Sequence, residues 1–211
     1  MYNQRIISVT DIDKKKIKIQ LEGGEVFALY KGEARRMEIE EGAYISDALY
    51  EDIQMLLYKR GKDRALYMLK DSAKTTQEVR RKLQQGFYPP ILIERIIEFL
   101  SRYHYLDDSG YIQNYYEMWK KKKSRKEIQY TLLKKGIENQ LIKEVIESIT
   151  DESGKEEEND ALCCQFDKKA KGKDLKNPKD RQKIIQYLMG KGFIYSDIAA
   201  ELEKRIREPF I

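Results

Sequence analysis

The feature that most constrains this chain is a spacing that occurs three times. Val79, Leu83, Ile93 and Ile97 form one set of apolar positions; Ile128, Leu132, Ile142 and Ile146 form a second; Ile184, Leu188, Ile198 and Leu202 form a third. In each set the offsets from the first residue are +4, +14 and +18 (83−79, 93−79, 97−79). Side chains four apart lie on one face of a helix. Gly86, Gly136 and Gly192 fall between the two pairs, where a helix would stop. Each set therefore reads as helix, tight turn, helix, and the chain as a tandem array of small helical units.

Start signals support the register. Thr75-Thr76-Gln77-Glu78 ends immediately before Val79, and Ser124-Arg125-Lys126-Glu127 immediately before Ile128. Both are capping boxes, with a hydroxyl at the N-cap and a glutamate three residues on. The same cap at the same offset argues for duplication of a three-helix unit. Ala65, Leu66 and Leu69 mark the first helix of repeat one, and Pro89-Pro90 starts its third. Ile112, Tyr115, Tyr116 and Trp119 open repeat two, with Asp107-Asp108 as a helix start rather than a paired-carboxylate site. Leu162 and Phe166 open repeat three. From Leu66 to Val79 is 13 residues, but from Leu162 to Ile184 is 22, so repeat three holds nine more between its first two helices. Asn177-Pro178 supplies a fresh start there.

The region before the repeats follows a different pattern. Ile17, Ile19 and Leu21 alternate with Lys18 and Gln20, the period of a half-buried strand. Gly23-Gly24 makes a hairpin turn, and Val26, Phe27, Leu29 and Tyr30 form the return strand. A lone hairpin is marginal in water, so it packs on the helix that starts at Ser46-Asp47 and carries Leu49, Ile53, Leu56 and Leu57, with a break expected at Gly61. The expected organisation is a strand-and-helix cap over 1–60, repeats over 61–105 and 106–150, an acidic stretch over 151–158 that is a linker or a solvated helix start, and a third repeat over 159–211.

With 41% apolar and 36% charged residues, the chain suits small units with thin cores and much surface. The cysteines, Cys163 and Cys164, are adjacent and read as reduced helix residues, and His104 is the only histidine, so no disulfide framework, metal or other cofactor is expected. The start of the chain lacks an apolar signal-like region and no apolar run is long enough to span a membrane; a cytoplasmic monomer is expected. Walker, GxGxxG and GxSxG patterns are absent. No catalytic site is read from the residues.

Charge carries the functional signal. The net charge is +5, and cations gather around the junction of the first and second helices of each repeat. Repeat one has Arg80, Arg81 and Lys82; repeat two has Lys120, Lys121, Lys122, Lys123, Arg125 and Lys126, right after Trp119; repeat three has Lys168, Lys169, Lys171 and Lys173. Such clusters suit phosphates or an acidic protein groove; the alternative is a solubilising face that binds nothing. Tyr103, Tyr105, Tyr111, Tyr115 and Tyr116 either stack on bases or cover a thin core.

Taken together, Ala65-Leu66-Tyr67-Met68-Leu69, Thr76 to Leu83, Tyr105-Leu106-Asp107-Asp108, Leu132 to Ile137 and Tyr187 to Phe193 resemble the RecX family of bacterial regulatory proteins, modulators of the RecA recombinase, over about residues 60–205. The resemblance implies three tandem three-helix repeats in an elongated, curved array. It implies binding in the groove of the RecA–single-stranded-DNA filament, with the DNA inside it a second candidate contact. It further implies that filament growth is blocked or disassembly favoured, by occupancy rather than catalysis, which restrains recombination, ATP hydrolysis and the SOS co-protease activity. The other reading is a helix-turn-helix-like repeat protein that binds DNA directly.

Overall fold

The computed structural model describes residues 4–150 and 154–207. The elements run β1 (Gln4–Asp11), β2 (Lys16–Leu21), β3 (Val26–Tyr30), α1 (Lys31–Arg36), β4 (Tyr44–Ile45), α2 (Asp47–Asp71), α3 (Thr76–Gln84), α4 (Pro90–Arg102), α5 (Asp108–Trp119), α6 (Arg125–Lys134), α7 (Asn139–Ile149), α8 (Gly154–Ala170), α9 (Pro178–Gly190) and α10 (Tyr195–Arg207). The fold is mainly α with a small N-terminal sheet, as the sequence indicates. The chain divides into two compact units between Asp107 and Asp108. Among the described residues no helix is long and apolar enough to cross a membrane.

In the first unit the expected hairpin belongs to a four-stranded antiparallel sheet in the order β3-β2-β1-β4. Ile17, Ile19 and Leu21 face inward as their alternation requires, and all three are buried. Beneath them lies α2, capped by the Ser46 hydroxyl, which accepts from the Leu49 N–H at 3.3 Å. Its Ile53 and Leu57 join the core under the sheet, and its Ala65 joins the core of repeat one; these form one continuous apolar cluster.

Gly61 does not break the helix. A glycine in a helix interior costs roughly 1 kcal/mol relative to alanine, but here the missing side chain makes room. A Cβ on Gly61 would lie 2.5 Å from Ile96 Cδ1 and 3.0 Å from the Tyr88 ring. Close approach of α4 is worth more than the local propensity, so α2 runs unbroken across the boundary placed between cap and repeat.

The second unit holds repeats two and three. Their apolar sets form two separate clusters, one around Ile112, Ile128, Leu132, Ile142 and Ile146, the other around Leu162, Phe166, Ile184, Leu188 and Ile198. The extra residues of repeat three lengthen the end of its first helix and, as the Asn177-Pro178 signal requires, the start of its second. Asp174 to Asn177 then lead into α9, with Asn177 Oδ1 accepting from the Lys179 N–H at 2.9 Å and Pro178 in the first turn. Residues 154–158 are the start of α8, the helix-start reading of the acidic stretch rather than the linker one; acidic side chains are favourable there. Residues 151–153 of that stretch lie outside the described residues.

The turn after each second helix places its left-handed residue four positions past the core leucine. Gly136 (φ 83°) and Gly192 (φ 95°) occupy it in repeats two and three, but Phe87 (φ 58°) does in repeat one. Gly86 serves a different need there: a Cβ on it would sit 2.9 Å from both Arg64 Nη1 and the Tyr88 ring. Substituting Gly61→Val should destabilise the first unit by about 1–3 kcal/mol through overpacking against Ile96 and Tyr88. Urea unfolding of the full chain checks this; an unchanged midpoint would show that α4 has room to retreat.

Candidate partner-binding surface

The cations singled out in repeats one and two flank two buried hydroxyls. Thr75 and Ser124 are each fully buried, and each accepts a hydrogen bond from the backbone N–H three residues on, Glu78 at 3.2 Å and Glu127 at 3.1 Å. The Thr75 box is reciprocal, with Glu78 accepting from the Thr75 N–H at 3.0 Å. The Ser124 box is not. Its Glu127 carboxylate turns to the Lys191 ammonium of repeat three, at 2.9 Å, and the Ser124 hydroxyl donates to the Lys191 carbonyl.

In repeat one, Arg80 is committed within its own unit. Its guanidinium makes two 2.9 Å bonds to Glu94 on α4 and a third to Gln77, a fork geometry that suits a carboxylate. This pairing holds the Glu94 carboxyl below the usual range. Arg81 and Lys82 are exposed.

In repeat two, the side chains of Lys120, Lys121 and Lys123 have partners, while Lys122 and Arg125 are held through their backbone. Lys120 pairs with Glu117 at 2.9 Å and with Glu157 of α8 at 2.7 Å, bonds that raise its pKa. Lys121 pairs with Asp160 at 3.3 Å. The Lys122 carbonyl accepts from Gln165 Nε2. Lys123 donates to the Tyr115 hydroxyl at 2.8 Å, with its ammonium 3.9 Å from the Trp119 ring centre, a cation–π contact. The Arg125 N–H donates to Glu158 Oε2 at 2.9 Å. Lys126 keeps an exposed side chain, although its Cβ lies against Gly192.

Repeat three continues the same track. The second-repeat loop lies along α8, meeting Glu157, Asp160 and Gln165 in order. Lys168 and Lys169 stand one turn beyond Gln165, on the same helix face. Lys169 places its ammonium 4.9 Å from the Tyr187 ring centre, and the Tyr187 hydroxyl donates to Gln165 Oε1 at 2.9 Å. Lys168 and Lys171 are exposed, and Lys173 is half-buried. Two basic segments about 50 residues apart in the chain are thus brought together in one unit, while Arg80, Arg81 and Lys82 belong to the other. The acidic partners were the part the sequence reading missed; a block of acids of similar length to the block of lysines is the signal that pointed to them.

The aromatics divide. Tyr103 and Tyr105 are exposed, whereas Tyr116 is buried and Tyr111, Tyr115 and Trp119 line the edge of the repeat-two core, Tyr111 stacked on Tyr115 at 6.4 Å. Among the described residues no group of histidine, cysteine and carboxylate side chains is placed to hold a metal ion. His104 sits exposed on the connector with a left-handed backbone (φ 56°). Burial pushes the Cys163 thiol up, away from nucleophilic chemistry.

Comparison with known proteins agrees with this organisation. Residues 62–100 match the first three-helix domain of RecX, and residues 156–202 the third. A regulatory protein RecX of Clostridium acetobutylicum is 32% identical over 167 residues, covering 78% of this chain and 76% of that protein. The Clostridium tetani protein of the same name is 29% identical over 206 residues, 94% of this chain and 92% of that one. A crystal structure of regulatory protein RecX shares the fold with a TM-score of 0.59 at 20% identity, over 95% of this chain and 99% of that one. RecX from Lactobacillus salivarius does so with 0.58 at 24% identity, over 70% and 96%.

Glu158 gives a pH test of this arrangement. Burial pushes its carboxyl up, against the opposing pull of the Arg125 N–H and charge, and nearby Asp197 adds to the rise. The folded state therefore holds its proton to higher pH than the unfolded chain, and stability falls as pH rises from the ordinary glutamate value through the raised one. Glu158→Gln keeps an acceptor for the Arg125 N–H and removes the proton. The expected result is a variant that gains stability relative to native across that window and holds the gain at pH 7. Denaturant melts of both proteins from about pH 4 to 7 check this; a constant difference between them would rule out the buried-carboxylate account.

Proposed function

The chain belongs to the RecX family of regulatory proteins, and from this we propose that it binds the RecA–single-stranded-DNA filament along its groove and limits filament extension or promotes disassembly. The observation that carries the reading is family membership over most of the chain. Bound along a periodic partner, a repeat array works by occupancy: it spans neighbouring subunits and obstructs their addition. No chemical step is required of the chain itself. Its effect on ATP hydrolysis, strand exchange and co-protease activity follows from the loss of filament. The setting is the cytoplasm, where the chain acts as a monomer.

The cations that suit this role are those exposed and, among the described residues, without a carboxylate partner: Arg81, Lys82, Lys122, Lys126, Lys168 and Lys171. They would meet acidic filament walls or DNA phosphates, steering association and giving it salt dependence. Lys120 and Lys121 are less suited, because α8 already holds them. The second reading, direct DNA binding by helix-turn-helix-like units, rests on the same exposed cations.

Length of RecA filaments on single-stranded DNA, followed by fluorescence with and without this protein, tests the proposal. Shortened or stalled filaments are expected. Unchanged filaments, together with tight DNA binding and a steep salt dependence in the absence of RecA, would favour the second reading. Replacing Arg81, Lys82, Lys168 and Lys171 together by glutamate should weaken the filament effect about tenfold, equivalent to about 1.4 kcal/mol. Circular dichroism should show helicity unchanged.

A further inference from the structure

The loop from Lys120 to Lys126 poses a physical problem. A run of like charges repels itself, and an exposed one gains nothing from being held in a fixed shape. Yet this loop is held from two sides by repeat three. From α8, Glu157 meets Lys120 at 2.7 Å, Asp160 meets Lys121 at 3.3 Å, Gln165 Nε2 donates to the Lys122 carbonyl, and Glu158 accepts from the Arg125 N–H at 2.9 Å. From the turn after α9, the Lys191 carbonyl accepts from the Ser124 hydroxyl and the Lys191 ammonium meets Glu127 at 2.9 Å.

Two features show that the contact is built into the fold. Gln165 is 7% exposed, and both ends of its amide are used, the oxygen accepting from the Tyr187 hydroxyl at 2.9 Å. A Cβ at Gly192 would lie 2.7 Å from Lys126 Cβ, so the turn reaches the loop only because no side chain intervenes. The apolar cores of the two repeats, by contrast, form separate clusters.

We propose that the 120–126 loop is a charge clasp that fixes repeat three against repeat two, with Lys120–Glu157 as its central pair. Lys120 and Lys121 are then part of a joint between repeats rather than an open surface for a partner, while the Lys122 and Lys126 side chains stay exposed. The strength of that joint depends on ionic strength, because its ion pairs are partly exposed and are screened by salt. The acids of α8 and the lysines of the loop have one role between them, and removing either side leaves a block of unbalanced like charge. This inference does not depend on what the chain binds.

Amide hydrogen exchange of the full chain, without any partner, tests the clasp. Lys120→Glu places a third carboxylate beside Glu117 and Glu157; Glu157→Lys places a second ammonium beside Lys120. Each should raise exchange in the first three turns of α8 about tenfold at low salt, with the amides around Ile142 and Ile146 as an internal reference. The double swap, Lys120→Glu with Glu157→Lys, restores the pair and should return exchange to within about threefold of native. Glu157→Gln removes one charge without adding repulsion, and should raise exchange in the same turns by a smaller factor. Raising the ionic strength from about 0.05 M to about 0.5 M should raise exchange in the same turns of the native chain. Single variants that leave α8 exchange unchanged, or a double swap that fails to rescue it, would overturn the proposal. If a single variant unfolds the repeat outright, the outcome of the swap still decides.

Discussion

Everything in the helical part of this protein depends on twelve apolar side chains in three sets of four. Each set joins two short helices across one tight turn, and nearly all are fully buried: Val79, Leu83 and Ile93 in the first repeat, all four in the second, and Ile184, Leu188 and Ile198 in the third, with Ile97 and Leu202 only slightly less so. Full burial of such a side chain contributes about 1.5–3 kcal/mol. Four of them do not hold helices of nine to thirteen residues on their own against chain entropy. The first helix of each unit supplies the remaining cover, and the repeats then recruit further support from what lies beside them.

That further support differs between the two units. Repeat one shares α2 with the N-terminal sheet, so a single apolar cluster runs from Ile19 and Phe27 through Ile53 and Leu57 to Leu83 and Ile96. The Arg60 guanidinium reinforces this join by pairing with Glu33 and by lying 4.7 Å from the Tyr30 ring centre. Repeats two and three lack such a shared element. Their cores remain apart, and the polar side chains of the 120–126 loop and α8 lie between them. An apolar join is insensitive to salt and forgiving of direction; a polar one demands particular partners at particular distances.

The same distinction bears on how the surface is used. A cation already hydrogen-bonded to a carboxylate must lose that partner before it can serve another, so Arg80 on Glu94 and Lys120 on Glu157 are poor contacts for a filament or a nucleic acid. Arg81, Lys82, Lys122, Lys126, Lys168 and Lys171 face solvent and carry no such cost. Counting lysines along the chain overstates the basic surface, because α8 carries the opposite charge to the same place. What remains exposed is a smaller set of cations, Arg81 and Lys82 in the first unit and Lys122, Lys126, Lys168 and Lys171 in the second.

By itself the sequence determined the repeat register, the caps at Thr75 and Ser124, the strand alternation at Ile17, Ile19 and Leu21, and the resemblance that family membership now bears out. These are local properties: helix faces, caps and pleats follow from residues a few positions apart. Only the tertiary structure decided the rest. Gly61 reads as a stop until Ile96 and Tyr88 come close enough to require it inside a helix. The acids at 156–158 read only as a linker or a solvated helix start until the fold brings Glu157 onto a lysine run more than thirty residues earlier. Gly86 marks the first turn, yet Phe87 takes the left-handed conformation, and Gly86 is needed instead because Tyr88 and Arg64 occupy the space a side chain there would fill. For Gly61 and for the acids of α8 the deciding neighbours are distant in sequence, as Arg64 is for Gly86, and packing and charge pairing between distant residues leave no period or cap to be read along the chain.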